Sequence, residues 1–138
     1  MRGMIFTADA ARNDGNKVSC LGGFWTVTQA GPVVADVAFV IRVEDESEMG
    51  VEHRVRITLQ GLAERDETIV GVDAGFKVDR DSADTRAPVV ISRAISIGRR
   101  ELVEGSYAWV LEVDGHKLDE WPFIVTPRIA PEATPATP

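Results

Sequence analysis

One cysteine, Cys20, in 138 residues excludes an intramolecular disulfide and leaves the fold to depend on its core. Histidine is nearly as scarce. With only His53 and His116, a zinc site or a His-based catalytic apparatus has few groups to draw on. No apolar run reaches the length of a membrane-spanning helix. Asp9 interrupts the N-terminal run Met4–Ala8 before a signal-peptide core of about 7–15 residues could form. Basic charge is short as well: 15 Lys and Arg against 22 Asp and Glu give a net charge of −7, which disfavours a phosphate-backbone partner. The sequence contains no GxSxG, P-loop, GxGxxG, HExxH or CxxC. The expectation is a protein that is not an enzyme, has no cofactor or metal, and binds neither nucleic acid nor membrane. It would reside in a cytoplasm or, if phage-encoded, in a virion.

Alternation of apolar and polar residues replaces the missing helical periodicity. In Val51–Gln60 the odd positions are apolar apart from His53 and the even ones polar, the pattern of a strand with one wet face. Val33–Val43 has apolar residues at every odd position and several even ones, so it reads as a more deeply covered strand. Tyr107, Trp109, Leu111 and Val113 share one parity, Asp114-Gly115 is a two-residue hairpin signal, and Trp121, Phe123 and Val125 resume the alternation. These aromatics are expected in the core.

Further strands are expected at Met4–Ala10, Lys17–Cys20, Phe24–Thr28, Thr68–Val72, Phe76–Arg80, Pro88–Ile97 and Lys117–Thr126. Asn13-Asp14-Gly15-Asn16 marks a hairpin, and Gly22-Gly23 suggests a bulge. The predicted fold is all-β, an antiparallel β-sandwich of about 8–10 short strands of Ig-like or Greek-key type. Residues 1–127 form the domain. After Pro127, with four prolines in the last twelve residues, 128–138 read as a flexible, disordered Pro-rich tail. Cys20, set among Val18 and Leu21, reads as a small buried hydrophobe.

The Ile5–Ala11 run, the block Leu21-Gly22-Gly23-Phe24-Trp25-Thr26-Val27-Thr28, and Glu104-Gly105-Ser106-Tyr107-Ala108-Trp109 leading to Val113-Asp114-Gly115 resemble a family of small bacterial and phage proteins of unknown function. The resemblance covers about residues 4–127. Its motifs are turns and core aromatics, so it implies a sandwich and no active site.

Function must then lie in surfaces. His53 reads as a satisfied histidine at the rim and His116 as solvated. The acidic loops Glu44–Glu48 and Asp79–Asp84 could gather carboxylates for calcium, but the second lacks the EF-hand glycine and has Arg80 and Arg86 beside it, so solvated loops are expected. Three residues are interaction candidates. Phe24 and Trp25 follow the double glycine in an unsettled register, with one of the two expected at the surface. Arg93 occupies an odd position among Val89, Ile91, Ile95 and Ile97, where a charge must find a carboxylate, face a partner, or lie on an edge strand and discourage indiscriminate pairing. The expected function is a structural or accessory subunit acting through protein partners or self-association, a phage virion component being one form. The alternative is a carbohydrate or small-ligand binding module, with a cryptic enzyme third.

Overall fold

The computed structural model describes residues 1–15, 17–62, 67–79 and 88–129, the side chain of residue 67 excepted. Among them the chain forms nine strands, one 3₁₀ turn (Glu46–Glu48) and no α-helix. The strands are β1 (Arg2–Asp14), β2 (Lys17–Gly23), β3 (Val27–Gln29), β4 (Gly31–Val43), β5 (Glu52–Gly61), β6 (Glu67–Lys77), β7 (Val89–Leu102), β8 (Gly105–Val113) and β9 (His116–Thr126). Two sheets pack face to face, in the orders β2-β1-β4-β7 and β3-β9-β8-β5-β6. Neighbours run antiparallel, except that β3 lies parallel to β9.

The alternation in the sequence sets which face of each strand is covered. All six odd residues from Val33 to Val43 are buried, as are Tyr107, Trp109, Leu111 and Val113. Together with Ile5, Val55, Ile57, Leu59, Phe123 and Val125 they make one core between the sheets. Each such aliphatic side chain contributes roughly 1.5–3 kcal/mol when fully buried. Trp109 is 1% exposed, and Trp121, opposite it on β9, is only half-buried. The β8–β9 hairpin turns on Asp114 (φ 50°) and Gly115 (φ 80°), the paired positive angles that a two-residue turn compatible with strand twist requires. Tyr107 donates its hydroxyl proton to the Val103 carbonyl at 2.7 Å, which ties the start of β8 to the chain before it.

Four details depart from the sequence reading. Thr68–Val72 and Phe76–Arg80 are not separate strands: Asp73, Ala74 and Gly75 stay paired with Arg56, Val55 and Arg54, so β6 runs unbroken to Lys77. The strand expected over Phe24–Thr28 shrinks to Val27–Gln29, because Phe24 adopts φ 65° and breaks the extended backbone. Gly22-Gly23 is no bulge, since the register passes from Ala10–Leu21 to Ala8–Gly23 without an inserted residue. Gly22 is needed for another reason: its φ is 60°, and a Cβ there would strike the Asp9 carboxylate. Cys20 is exposed, on a strand that is outermost in its sheet.

The distal half of the β1–β2 hairpin leans across its own sheet. The Ala11 N–H donates to Asp36 Oδ2 of β4 at 2.8 Å, and Asn13 meets β7. Beneath it Phe6, Ala8 and Ala38 form a second, smaller core joined by Ala11, Val18 and Trp121. On this side the two sheets are stitched together. The Ile5 N–H donates to Asp119 Oδ2 of β9 at 2.9 Å, and Trp121 Nε1 donates to the Trp25 carbonyl at 3.0 Å. On the opposite side, between β6 and β7, the described residues leave a cleft.

Candidate interaction surface

Phe24 stands at the stitched side and is 54% exposed. Its N–H donates to the Thr7 carbonyl at 2.8 Å, which fixes the backbone just where the chain leaves β2. Its ring stacks on Phe6 with centroids 4.2 Å apart and meets Trp121 edge-on at 5.6 Å. A bulky residue rarely adopts positive φ, and such strain persists only where the surroundings hold it in place. Here the hydrogen bond and two ring contacts do so, and the result is an aromatic face turned to solvent. Exposed Leu21 and Met4 belong to the same end of the four-stranded sheet. Trp25 goes the other way: half-buried, it packs edge-on against Phe123 at 5.4 Å. Of the two aromatics after the double glycine, Phe24 is therefore the displayed one.

Arg93 lies on β7, the outermost strand of its sheet, opposite Phe39 of β4. It is exposed, and its Nη1 donates to the Ser92 carbonyl at 2.8 Å. One residue on, the Asn13 carboxamide both accepts from the Ala94 N–H (2.7 Å) and donates to the Ala94 carbonyl (3.1 Å), as a further strand would. Ser92 and Ala94, alternate residues on the edge of β7, are thus engaged by side chains, a role for Asn13 that its place in a turn segment concealed. Arg93 also lines the open side, a cleft of about 510 Å³ between β6 and β7 whose apolar wall includes Phe39, Phe76, Val78 and Ile91. Phe24 and Arg93 are not brought together; they belong to different sides of the sandwich.

His53 is buried at the start of β5. Its Nδ1 lies 2.6 Å from Asp114 Oδ2 and its Nε2 lies 2.6 Å from the Glu48 carbonyl oxygen. Both partners accept, so the ring is best satisfied as an imidazolium donating twice. The bond to Asp114, then that to Glu48, raises its pKa above the ordinary 6.5. The same bond, with the Arg54 N–H second, holds Asp114 below its ordinary 3.8. A ring with both nitrogens committed has no lone pair for a metal or for proton abstraction. His116 is exposed.

The first acidic loop is held by its own turn and by neighbouring cations, among them the Met1 ammonium on Glu48 at 3.2 Å. Asp45 caps the 3₁₀ turn by accepting from Ser47 N, Glu48 reaches back to Asp45 N, and Glu44 pairs with Arg2 and Arg42 at 3.3 and 3.7 Å. Of the second loop, Asp79 is exposed and residues 80–84 lie outside the described residues, as does the tail from 130 onward. Among the described residues no cluster of three or more His, Cys, Asp or Glu side chains could hold a metal ion, and no helix is long and apolar enough to cross a membrane.

No curated protein matches the sequence. A family model does, over residues 3–126, which takes in all nine strands but for the first residue of β1. The chain belongs to the family of unknown function DUF6941.

Proposed function

We propose that this protein is a non-enzymatic interaction module, a structural or accessory subunit that docks on a protein partner through the surface around Phe24. The observation that carries the reading is the strained, half-exposed Phe24 ring held on Phe6 and Trp121. Rigid aromatic anchors ringed by apolar contacts are what protein interfaces are built around. An Ig-like class fits the same reading. The parallel β3–β9 pair, the β4–β7 and β5–β8 pairings across successive sheets, and the Tyr107 hydroxyl bonded four residues upstream all have counterparts in that sandwich type. A phage virion is one assembly such a subunit could serve, and a cytoplasmic complex another.

Affinity capture from extracts of the source cells, with wild type and Phe24→Gly compared, tests the proposal. Glycine suits φ 65° and removes only the ring, so the fold is kept. A protein retained by wild type and lost from Phe24→Gly supports the reading; identical captured sets overturn it. The small-ligand alternative draws on the cleft between β6 and β7, where the Arg93 guanidinium stands beside an apolar wall. A ligand held there would be lost in Arg93→Val and kept in Phe24→Gly.

A further inference from the structure

β6 is the last strand of the five-stranded sheet, and among the described residues nothing pairs with its outer edge. The free groups on that edge follow from the ladder. Arg54 turns its backbone away from β6: its N–H reaches Asp114 Oδ1 and its carbonyl accepts from Asp114 N, both at 2.9 Å. By antiparallel alternation His53, Val55 and Ile57 face β6, so Phe76, Ala74 and Val72 spend their backbone groups on β5. Gly71, Asp73, Gly75 and Lys77 therefore present N–H and C=O outward. No proline blunts the strand. The other edges differ: β7 is capped at Ser92 and Ala94 by Arg93 and Asn13, β3 has three residues, and β2 carries Gly22 at φ 60° one residue before its end.

We propose that β6 is a self-association edge, on which a second copy of this chain adds its own β6 antiparallel about a two-fold axis at Ala74 to join two five-stranded sheets into one. The sequence of the strand selects both the occupant and the register. The pairing is irregular near Leu59 and Gln60, so the regular stretch of β6 is Val70–Lys77. A two-fold axis at Asp73 would set two carboxylates opposite each other, one at Val72 would run into the irregular end, and one at Gly75 would shorten the pairing to Asp73–Lys77, because β6 ends at Lys77. The axis at Ala74 avoids all three. It places outward-bonding Gly71 against Lys77 and Asp73 against Gly75 of the other copy, in hydrogen-bonded register. On the core-facing side it sets Val72 against Phe76 twice and Ala74 against itself. Val72 and Phe76 are half-buried and Ala74 exposed in the single copy, so the second strand covers apolar surface left uncovered at the open side. Aromatic against β-branched residues is a favourable cross-strand pair. On the outer face Asp73 lies diagonal both to Lys77 and to Asp73 of the other copy, and its charge is already met by Arg56 of its own chain at 4.0 Å.

The surface differs from the one around Phe24, so either can fail without the other. The test is sedimentation of the full chain across a concentration series. Wild type is expected to show a concentration-dependent dimer. Ala74→Glu and Ala74→Lys, each placing like charges opposite one another on the axis, should each weaken it at least about five-fold. An equimolar mixture of the two variants should recover it. Because residue 74 is exposed, circular dichroism should find both variants folded. A wild type monomeric at its highest soluble concentration overturns the proposal. So does a dimer unmoved by either substitution, a mixture that fails to recover, or a dimer lost in Phe24→Gly instead.

Discussion

Thr7 is fully buried on β1 opposite Val37, and among the described residues its hydroxyl has no hydrogen-bond partner. A desolvated, unpaired hydroxyl costs roughly 1–3 kcal/mol, and valine has nearly the same shape without it. Thr7→Val is expected to stabilise the fold by about 1 kcal/mol, read as a raised urea midpoint at constant slope. The tryptophans behave differently from one another. Trp109, enclosed in the core, should cost about 3–5 kcal/mol when cut to alanine. Trp121, half-buried and bonded to the Trp25 carbonyl, should cost roughly half as much by the same measure. Equal losses at the two positions would contradict this division. Phe24→Gly gives up two ring contacts worth about 0.5–1.5 kcal/mol each but relieves backbone strain of about 1–3 kcal/mol, so its stability should stay within about 1 kcal/mol of wild type.

At the level of elements, His53 and Asp114 join the start of β5 to the β8–β9 turn. The histidine's folded pKa is raised, so its contribution is full below about 6.5 and is lost as pH climbs through the raised value. Asp114's is lowered, so its contribution is present above about 3.8 and is lost as pH falls through the lowered value. Thermal stability from this pair should therefore be greatest between these limits. In Asp114→Asn, where asparagine tolerates φ 50° and Asn-Gly suits the turn, the decline from pH 6 to 8 should flatten. A decline as steep as in wild type would assign it to other groups. The edge of β7 makes a second prediction: Arg93→Val removes a charge from an outermost strand and puts an aliphatic side chain in its place. The variant should stay folded and scatter more light as its concentration rises; unchanged scattering would remove Arg93 from edge protection.

For the molecule as a whole, asymmetry between its two sides organises the functional reading. One side is closed by Asp119, Trp121 and the chain turning at Phe24, and it displays an aromatic. Among the described residues the other is open between β6 and β7, with one edge capped and one available. A β-sandwich must manage four sheet edges, and this one treats each differently.

The sequence determined the strands and their faces, because side-chain alternation in a strand is a local property: odd residues from Val33 to Val43 and from Tyr107 to Val113 could be assigned inward with no knowledge of their neighbours. It also determined the Asp114-Gly115 hairpin, whose backbone angles few other pairs adopt. Burial of Cys20 was misjudged, since local hydrophobicity does not say whether a strand is outermost. Position 53 signalled itself as a histidine in an apolar register, but its partner 61 residues away looked only like a turn residue. Only the tertiary structure decided which of Phe24 and Trp25 faces water, that Asn13 caps β7 across 81 residues, and which edge stays free. Those outcomes depend on which strands become neighbours, and that is set by the free energy of the whole packed core.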